Sequence, residues 1–137
     1  MRNLVVVILM LCANTGYTRI SPRELVANTL MREAGGEGEI GMRAVATVIH
    51  NRAGGDWQQF AAVIKQANQF AYILPQSHKH GEAWVNANRI ACEMVSGQFQ
   101  PVGGWTHFYN PRRTDPGWGY SLQAVTNIGK HRFGELP

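Results

Sequence analysis

"MREAGGEGEIGMRAVATVIHNR", residues 31–52, decides how the rest of the chain is read. It closes one apolar helix, crosses a glycine-rich joint and opens a second helix, and it carries Glu33, Glu37 and Glu39. Just upstream, Ser21-Pro22-Arg23-Glu24 has the form of a capping box. Ser21 is the cap, Pro22 suits the first helical position and Glu24 stands three residues on. These signals predict a helix over 21–35 that turns Leu25, Val26, Leu30 and Met31 inward and stops at a Gly35-Gly36 C-cap. Downstream, Ile40, Ala44, Val48 and Ile49 make the apolar stripe of a second helix, ended by Gly54-Gly55.

Among the three glutamates, Glu33 stands out by position. It follows Leu30 by three residues and Val26 by seven, so it shares their face of the helix. A carboxyl group there loses hydration, and the nearby helix C-terminus disfavours a negative charge; both effects are expected to raise its pKa. A protonated acid at the edge of a cleft is what cleavage of a glycosidic bond requires. The glycines beside it would let a polymer come close to the backbone. Spacing alone leaves open a second arrangement, with Glu33 paired to Arg32, Arg43 or Arg52. Glu37 and Glu39 suit the start of a helix as solvated charges.

Further along, Asp56 is a natural N-cap for a third helix, "WQQFAAVIKQ". "ANQFAYILPQSHKHG" reads as a long exposed connection. A fourth helix, "EAWVNANRIACEMVSG", turns Ala83, Ala87, Ile90, Ala91, Met94 and Val95 inward and stops at Gly97. Cys92 falls in this pattern as a small core residue. The last third is dense in Gly, Pro and aromatic residues and predicts a short strand over 105–109, with a partner from "AVTNIGKHRFGE". No repeat, low-complexity tract or second domain is visible.

At 137 residues, 45% hydrophobic and 16% charged, the chain has room for one domain with a modest core. Thirteen Lys plus Arg against nine Asp plus Glu leave a net charge of +4, which favours an anionic partner such as nucleic acid, an acidic lipid surface or a bacterial wall polymer. Residues 1–18 have a charged start, an apolar run from Leu4 to Ala13 and a small, polar end. They read as an export signal, leaving 19–137 as the working domain. The run is too short to span a membrane. With Cys12 in the leader, Cys92 has no partner for an internal disulfide.

Several chemistries lack support. His50, His78, His80, His107 and His131 show no metal-ligand spacing, so neither a metal nor another cofactor is expected. There is no nucleophile motif for an amidase or peptidase and no phosphate-cradling glycine pattern. Trp57, Gln69, Phe70, Tyr72, Trp105, Thr106, His107, Tyr109, Asn110, Trp118 and Tyr120 lie outside the core pattern. Stacking aromatics with amide and hydroxyl groups suit a sugar polymer. The same set suits single-stranded nucleic acid, a partner that an exported protein would seldom meet.

"REAGGEGEIGMRAVATVIHNR" resembles the opening motif of the cell wall hydrolases typified by the spore-cortex lytic enzyme SleB, roughly E-A-x-G-E, a gap, then G-x-x-A-V-A-x-V-I-x-N-R. "NQFAY", "WTHFYNP" and "IGKHRF" resemble further blocks of that family, in its order, across about residues 25–134. The resemblance implies an α+β, mainly α, lysozyme-like fold of the lytic transglycosylase type, with a small β-sheet in the C-terminal third. Together with the export signal it gives a small, bacteriolytic, single-domain enzyme, expected as a monomer, that suits phage-driven lysis as an endolysin, virion entry or bacterial wall remodelling. Such an enzyme cuts peptidoglycan glycan strands after N-acetylmuramic acid. The family's catalytic glutamate falls on Glu33. Glu37, Gln69, Phe70, Tyr72, Thr106, His107, Tyr109 and Asn110 would line the groove, with His131 and Arg132 in structural roles. The family usually has arginine where this chain has Gly35. The competing readings are a muramidase-type hydrolase, with Glu37, Glu39 or Asp115 as second carboxylate, and a non-catalytic wall-binding module.

Overall fold

Ser21 caps the first helix as its position before Pro22 predicts: its Oγ accepts from the Glu24 N–H at 3.2 Å. The computed structural model describes residues 19–66, 70 and 73–137. The expected export signal, Cys12, Gln69 and Tyr72 lie outside the described residues. The elements are α1 (Pro22–Ala34), α2 (Gly38–Arg52), a 3-10 turn at Trp57–Gln59 that runs into α3 (Phe60–Lys65), α4 (Gly81–Val95), and strands β1 (His107–Tyr109), β2 (Gln123–Ile128) and β3 (His131–Glu135).

Helices α1, α2 and α4 wrap one core. Leu25, Val26, Leu30, Met42, Val45, Val48, Ile49, Phe60, Ile64, Ile90 and Met94 are buried in it. Two expectations for its edge fail. Ile40 is 74% exposed, because the buried apolar stripe of α2 begins two residues later, at Met42. Cys92 is also exposed: Ala87, Ile90, Ala91 and Met94 fill the buried arc of α4 and leave residue 92 outside it. Glu24, placed to complete a capping box, instead pairs through its carboxylate with Lys79 at 3.2 Å. Gly35 caps α1 in a right-handed conformation, φ −59°, and the left-handed glycine of the joint is Gly38, φ +69°.

The sheet has the order β1-β3-β2, antiparallel throughout, with Phe108 opposite Phe133. Two polar side chains one turn apart on α2 aim the approach to it. Thr47 Oγ1 accepts from the Val102 N–H at 3.1 Å. Asn51 Nδ2 donates to the carbonyls of Gly103 and Trp105 at 3.0 and 2.9 Å. These three backbone groups near the helix are thereby satisfied, and β1 leaves α2 in a set direction. Trp105 and Phe133 then meet at 5.2 Å and carry the sheet into the helical core.

A second tie joins the β2–β3 turn to the α1–α2 joint. Glu37 Oε1 accepts from the Lys130 N–H at 2.6 Å, and Oε2 lies 2.9 Å from His131 Nδ1. The Glu37 side chain is only 6% exposed. Two glycines make room for it. A Cβ on Gly41 would sit 2.5 Å from Glu37 Cβ, and one on Gly129 would overlap Glu37 Oε1. Gly129 also has φ +56°, a left-handed backbone that glycine adopts without strain.

On the far side of α2, Arg43 grips Glu93 of α4 through two hydrogen bonds of 2.8 and 3.0 Å and donates to Glu39 at 2.9 Å. The Arg43 guanidinium holds the Glu93 carboxyl below its ordinary value of 4.5, against the opposing effect of burial. A depressed folded pKa stabilises above the unfolded value and loses that contribution as pH falls through the folded one. Arg43→Met is therefore expected to cost about 1–3 kcal/mol at neutral pH. In urea denaturation the gap from the unaltered protein should narrow below about pH 4. Glu37→Ala leaves the Lys130 N–H and the buried His131 imidazole without their acceptor, at about 2–4 kcal/mol. Its thermal midpoint should fall by roughly 5–15 °C, and an unchanged midpoint would show that the turn is held by something else.

Candidate functional site

A cleft of about 630 Å³ opens between the C-terminal end of α1 and the sheet. One wall is helical: Met31, Arg32 and Glu33 from the last turn of α1, then Gly35, Gly36 and Glu37 from the joint. The other is aromatic, with Phe108, Tyr109 and Trp118, and it is closed by Asn110, Arg113 and the Lys130-His131 pair. A smaller cavity of about 330 Å³ adjoins it, lined by Leu74, His78 and His80 together with Met31, Arg32, Gly35 and Gly36. The four shared residues make the glycine joint a low saddle between two lengths of groove.

Glu33 stands at the cleft because α1 runs out there. Val26 and Leu30 on its face are fully buried, while Glu33 itself is half-buried, at the point where the core stripe emerges. Gly35 and Gly36 put no side chain between it and the open groove. Of the other expected groove residues, Tyr109 and Asn110 line the cleft. Asn110 also builds the following turn: its Oδ1 accepts from the Arg112 N–H, and its carbonyl accepts from the N–H groups of Arg113 and Thr114, all at 3.0 Å.

Glu37 lines the cleft as well, with both its oxygens bonded to the β2–β3 turn. Three expected residues are placed differently. Phe70 is 8% exposed and packs on Phe108 at 5.6 Å, so it backs the aromatic wall from the core side. Thr106 does not line the cleft. Its Oγ1 accepts from the Leu136 N–H at 3.4 Å and lies 2.9 Å from His107 Nδ1. His107 is also outside the lining, edge-on to Trp118 at 5.2 Å. Burial, with Arg52 nearby, pushes His107 below the ordinary imidazole value of 6.5, so it is neutral at pH 7.

Trp118 reaches the cleft from the loop after β1, with its ring edge-on to both His107 and Tyr109, at 5.2 and 5.5 Å. Phe108 stacks on Phe133 at 5.4 Å with 19° between the planes, and His131 meets the Phe108 ring edge-on at 5.1 Å. Arg113, Thr114, Pro116 and Lys130 complete the rim. Composition singled out Trp118 among the aromatics, but nothing in the spacing of "NPRRTDPGWGY" shows that its turns fold back over the helix end. The other carboxylates considered as partners for Glu33 are elsewhere. Glu39 is bound to Arg43 and Arg89 on the α2–α4 face. Asp115 Oδ1 accepts from the Gly117 N–H at 3.1 Å. Among the described residues no three His, Cys, Asp or Glu side chains gather closely enough to hold a metal ion.

With this geometry in place, the relatives of the chain become informative. The cell wall hydrolase family profile matches residues 36–134, beginning just past Glu33. The spore cortex-lytic enzyme of Halalkalibacterium halodurans is 31% identical over 116 residues, 80% of this chain and 33% of that protein. The spore cortex-lytic enzyme of Oceanobacillus iheyensis is 30% identical over 123 residues, 86% and 42% respectively. The chain thus spans well under half the length of these two relatives. The catalytic domain of the germination-specific lytic transglycosylase SleB from Bacillus anthracis superposes with a TM-score of 0.64 at 25% identity, covering 88% of this chain and 98% of that domain. The catalytic domain of Bacillus cereus SleB gives 0.63 at 26%, covering 88% and 94%. The match over most of the chain, on the fold of the SleB catalytic domains, makes this protein a member of the cell wall hydrolase family.

Proposed function

We propose that the chain is a peptidoglycan lytic transglycosylase, acting outside the cytoplasmic membrane on the glycan strand, with Glu33 as its one general acid and base. The observation that carries this reading is the pairing of roles at the cleft. Glu33 lines it at the end of a buried helical stripe, and the other carboxylate of the lining, Glu37, is occupied by Lys130 and His131. A hydrolase with two working carboxylates needs the second one placed for a water or for a covalent intermediate. Glu39 and Asp115 are held at other sites.

The steps then fall to a single group. Protonated Glu33 gives its proton to the glycosidic oxygen as the bond from C1 of the muramic residue breaks, and positive charge develops at C1 and the ring oxygen. The resulting Glu33 carboxylate takes the proton of the C6 hydroxyl on the same sugar, and that oxygen closes on C1. The product is a 1,6-anhydro end, formed without water, and the acid is regenerated. The low Gly35-Gly36 saddle would let the strand cross from one length of groove to the other. Tyr109 and Trp118 supply faces on which sugar rings rest.

Glu33→Gln removes the transferable proton while keeping the size of the side chain. It is expected to lower the rate of turbidity loss on purified peptidoglycan by at least about a hundredfold, with the fold intact by circular dichroism. Mass spectrometry of the soluble products decides between the two glycosidases: anhydromuramoyl ends support the proposal, and reducing ends formed by water addition make the protein a muramidase. An unimpaired Glu33→Gln variant would mean that the acid lies elsewhere or that the protein only binds the wall. Trp118→Ala is expected to raise KM roughly three- to tenfold, with less effect on kcat, as loss of a stacking surface should.

A further inference from the structure

The charges around the cleft ask for more than a neutral sugar strand. Arg32, Arg113 and Lys130 stand at its rim and are all exposed. None of the three makes an ion pair among the described residues, whereas Arg43, Arg89 and Lys79 elsewhere on the molecule are each bound to glutamate. Glu37, the lining carboxylate nearest in sequence to the joint, is turned to the Lys130 N–H and His131 and leaves the Lys130 ammonium without a counter-ion among the described residues.

Each cation is carried on backbone that is fixed. Arg32 belongs to the last turn of α1, next to Glu33, and borders both cavities. Arg113 sits in the turn that Asn110 closes through its carbonyl and side-chain oxygen. Lys130 is held by its own N–H on Glu37. Three uncompensated cations on three separate supports repel one another across the groove, an arrangement that is relieved when an anion enters. In the intact polymer the lactyl carboxyl of each muramic residue is taken up in the amide bond to its stem peptide, so the N-acetylated sugar backbone carries no charge to relieve it. The free carboxylates of the polymer belong to the stem peptides on its muramic residues.

We propose that Arg32, Arg113 and Lys130 form a carboxylate-binding rim that reads these stem peptides, so that the protein engages peptide-bearing strands in preference to bare glycan. The proposal rests on the reading of the cleft as a peptidoglycan site, and it extends that reading from the bond cut to the form of strand selected. Arg32 is placed to take a carboxylate on either side of the saddle. Arg113 and Lys130 take one on the side of the aromatic wall.

Binding tests this apart from catalysis. Glycan strands of matched length, freed of teichoic polymers, are prepared either with their stem peptides or without them and with the exposed lactyl carboxyls capped as neutral amides, and are titrated calorimetrically into Glu33→Gln protein. At about 50 mM salt the peptide-bearing strands should bind about tenfold tighter, a factor of about three for each of two partly exposed charge pairs. Adding Arg113→Gln and Lys130→Gln, or raising the salt to about 500 mM, should shrink that advantage below about twofold. Unaltered thermal midpoints would show that the added substitutions leave the fold intact. Equal binding of both strands to the unaltered rim, an advantage that survives the two substitutions, or binding to neither strand would each overturn the proposal. Failure of the catalytic reading shows separately, as peptidoglycan cleavage that persists in Glu33→Gln.

Discussion

The cleft exists because one carboxylate fastens the sheet to the helices. Glu37 leaves the α1–α2 joint, lies over Gly41 and ends on the Lys130 N–H and His131 of the β2–β3 turn. A carboxylate that is 6% exposed survives only with such partners, since desolvation would otherwise expel it or neutralise it. The tie is demanding on its neighbours. Gly41 and Gly129 cannot carry a Cβ without striking Glu37, and the turn at Gly129 needs a left-handed backbone as well. A short three-stranded sheet has little stability alone. Its place here comes from this bracket at one end, and from Trp105 and Phe133 packed into the helical core at the other.

Chemistry at the cleft follows from what the bracket uses up. With Glu37 bonded to the β2–β3 turn, Glu33 at the α1 terminus is the other carboxylate of the lining, the one proposed to work there. His131 is engaged by the same bracket, and His107 is held neutral against Trp118. The facing wall is rigid for a different reason. Phe70, Phe108 and Phe133 interlock behind it, so Tyr109 and Trp118 are presented on a surface that is itself core. A single acid between a glycine saddle and a stiff aromatic wall suits a reaction whose nucleophile is part of the substrate. Such a site has to hold a sugar in one orientation and has no need to admit and aim a water.

The helical half was legible in the sequence wherever a local rule governed it. The Ser21 cap, the Gly54-Gly55 and Gly97 stops and the buried arcs of α1, α2 and α4 all follow from spacing and capping chemistry within a few residues. Ile40 and Cys92 show where periodicity gives out, at the first turn of a helix and at the border of its buried arc. The position of Glu33 was legible for the same local reason. The far wall was not. Glu37 meets Lys130 from 93 residues away, and no local rule distinguishes an N-terminal charge that stays solvated from one that becomes a buried clamp. Thr106 and His107 stand beside true wall residues in a shared motif, yet the hydroxyl is turned to Leu136 and the imidazole to Trp118. Motif membership marked the wall without separating its lining from its support.

The Gly35 joint draws these points together. A Cβ at position 35 would overlap the Met31 carbonyl oxygen, so the turn as built has no place for a side chain. A cation at the joint would stand on the saddle, beside Glu33 and in the path of a strand crossing from one cavity to the other. Here the saddle is bare backbone, and positive charge flanks it instead, on Arg32, Arg113 and Lys130. Charge at the rim touches different groups from charge at the crossing point. At the crossing it would act on the glycosidic bond and the acid proposed to cut it. At the rim, under the proposal, it would meet groups that project from the strand, which on this polymer are the peptides.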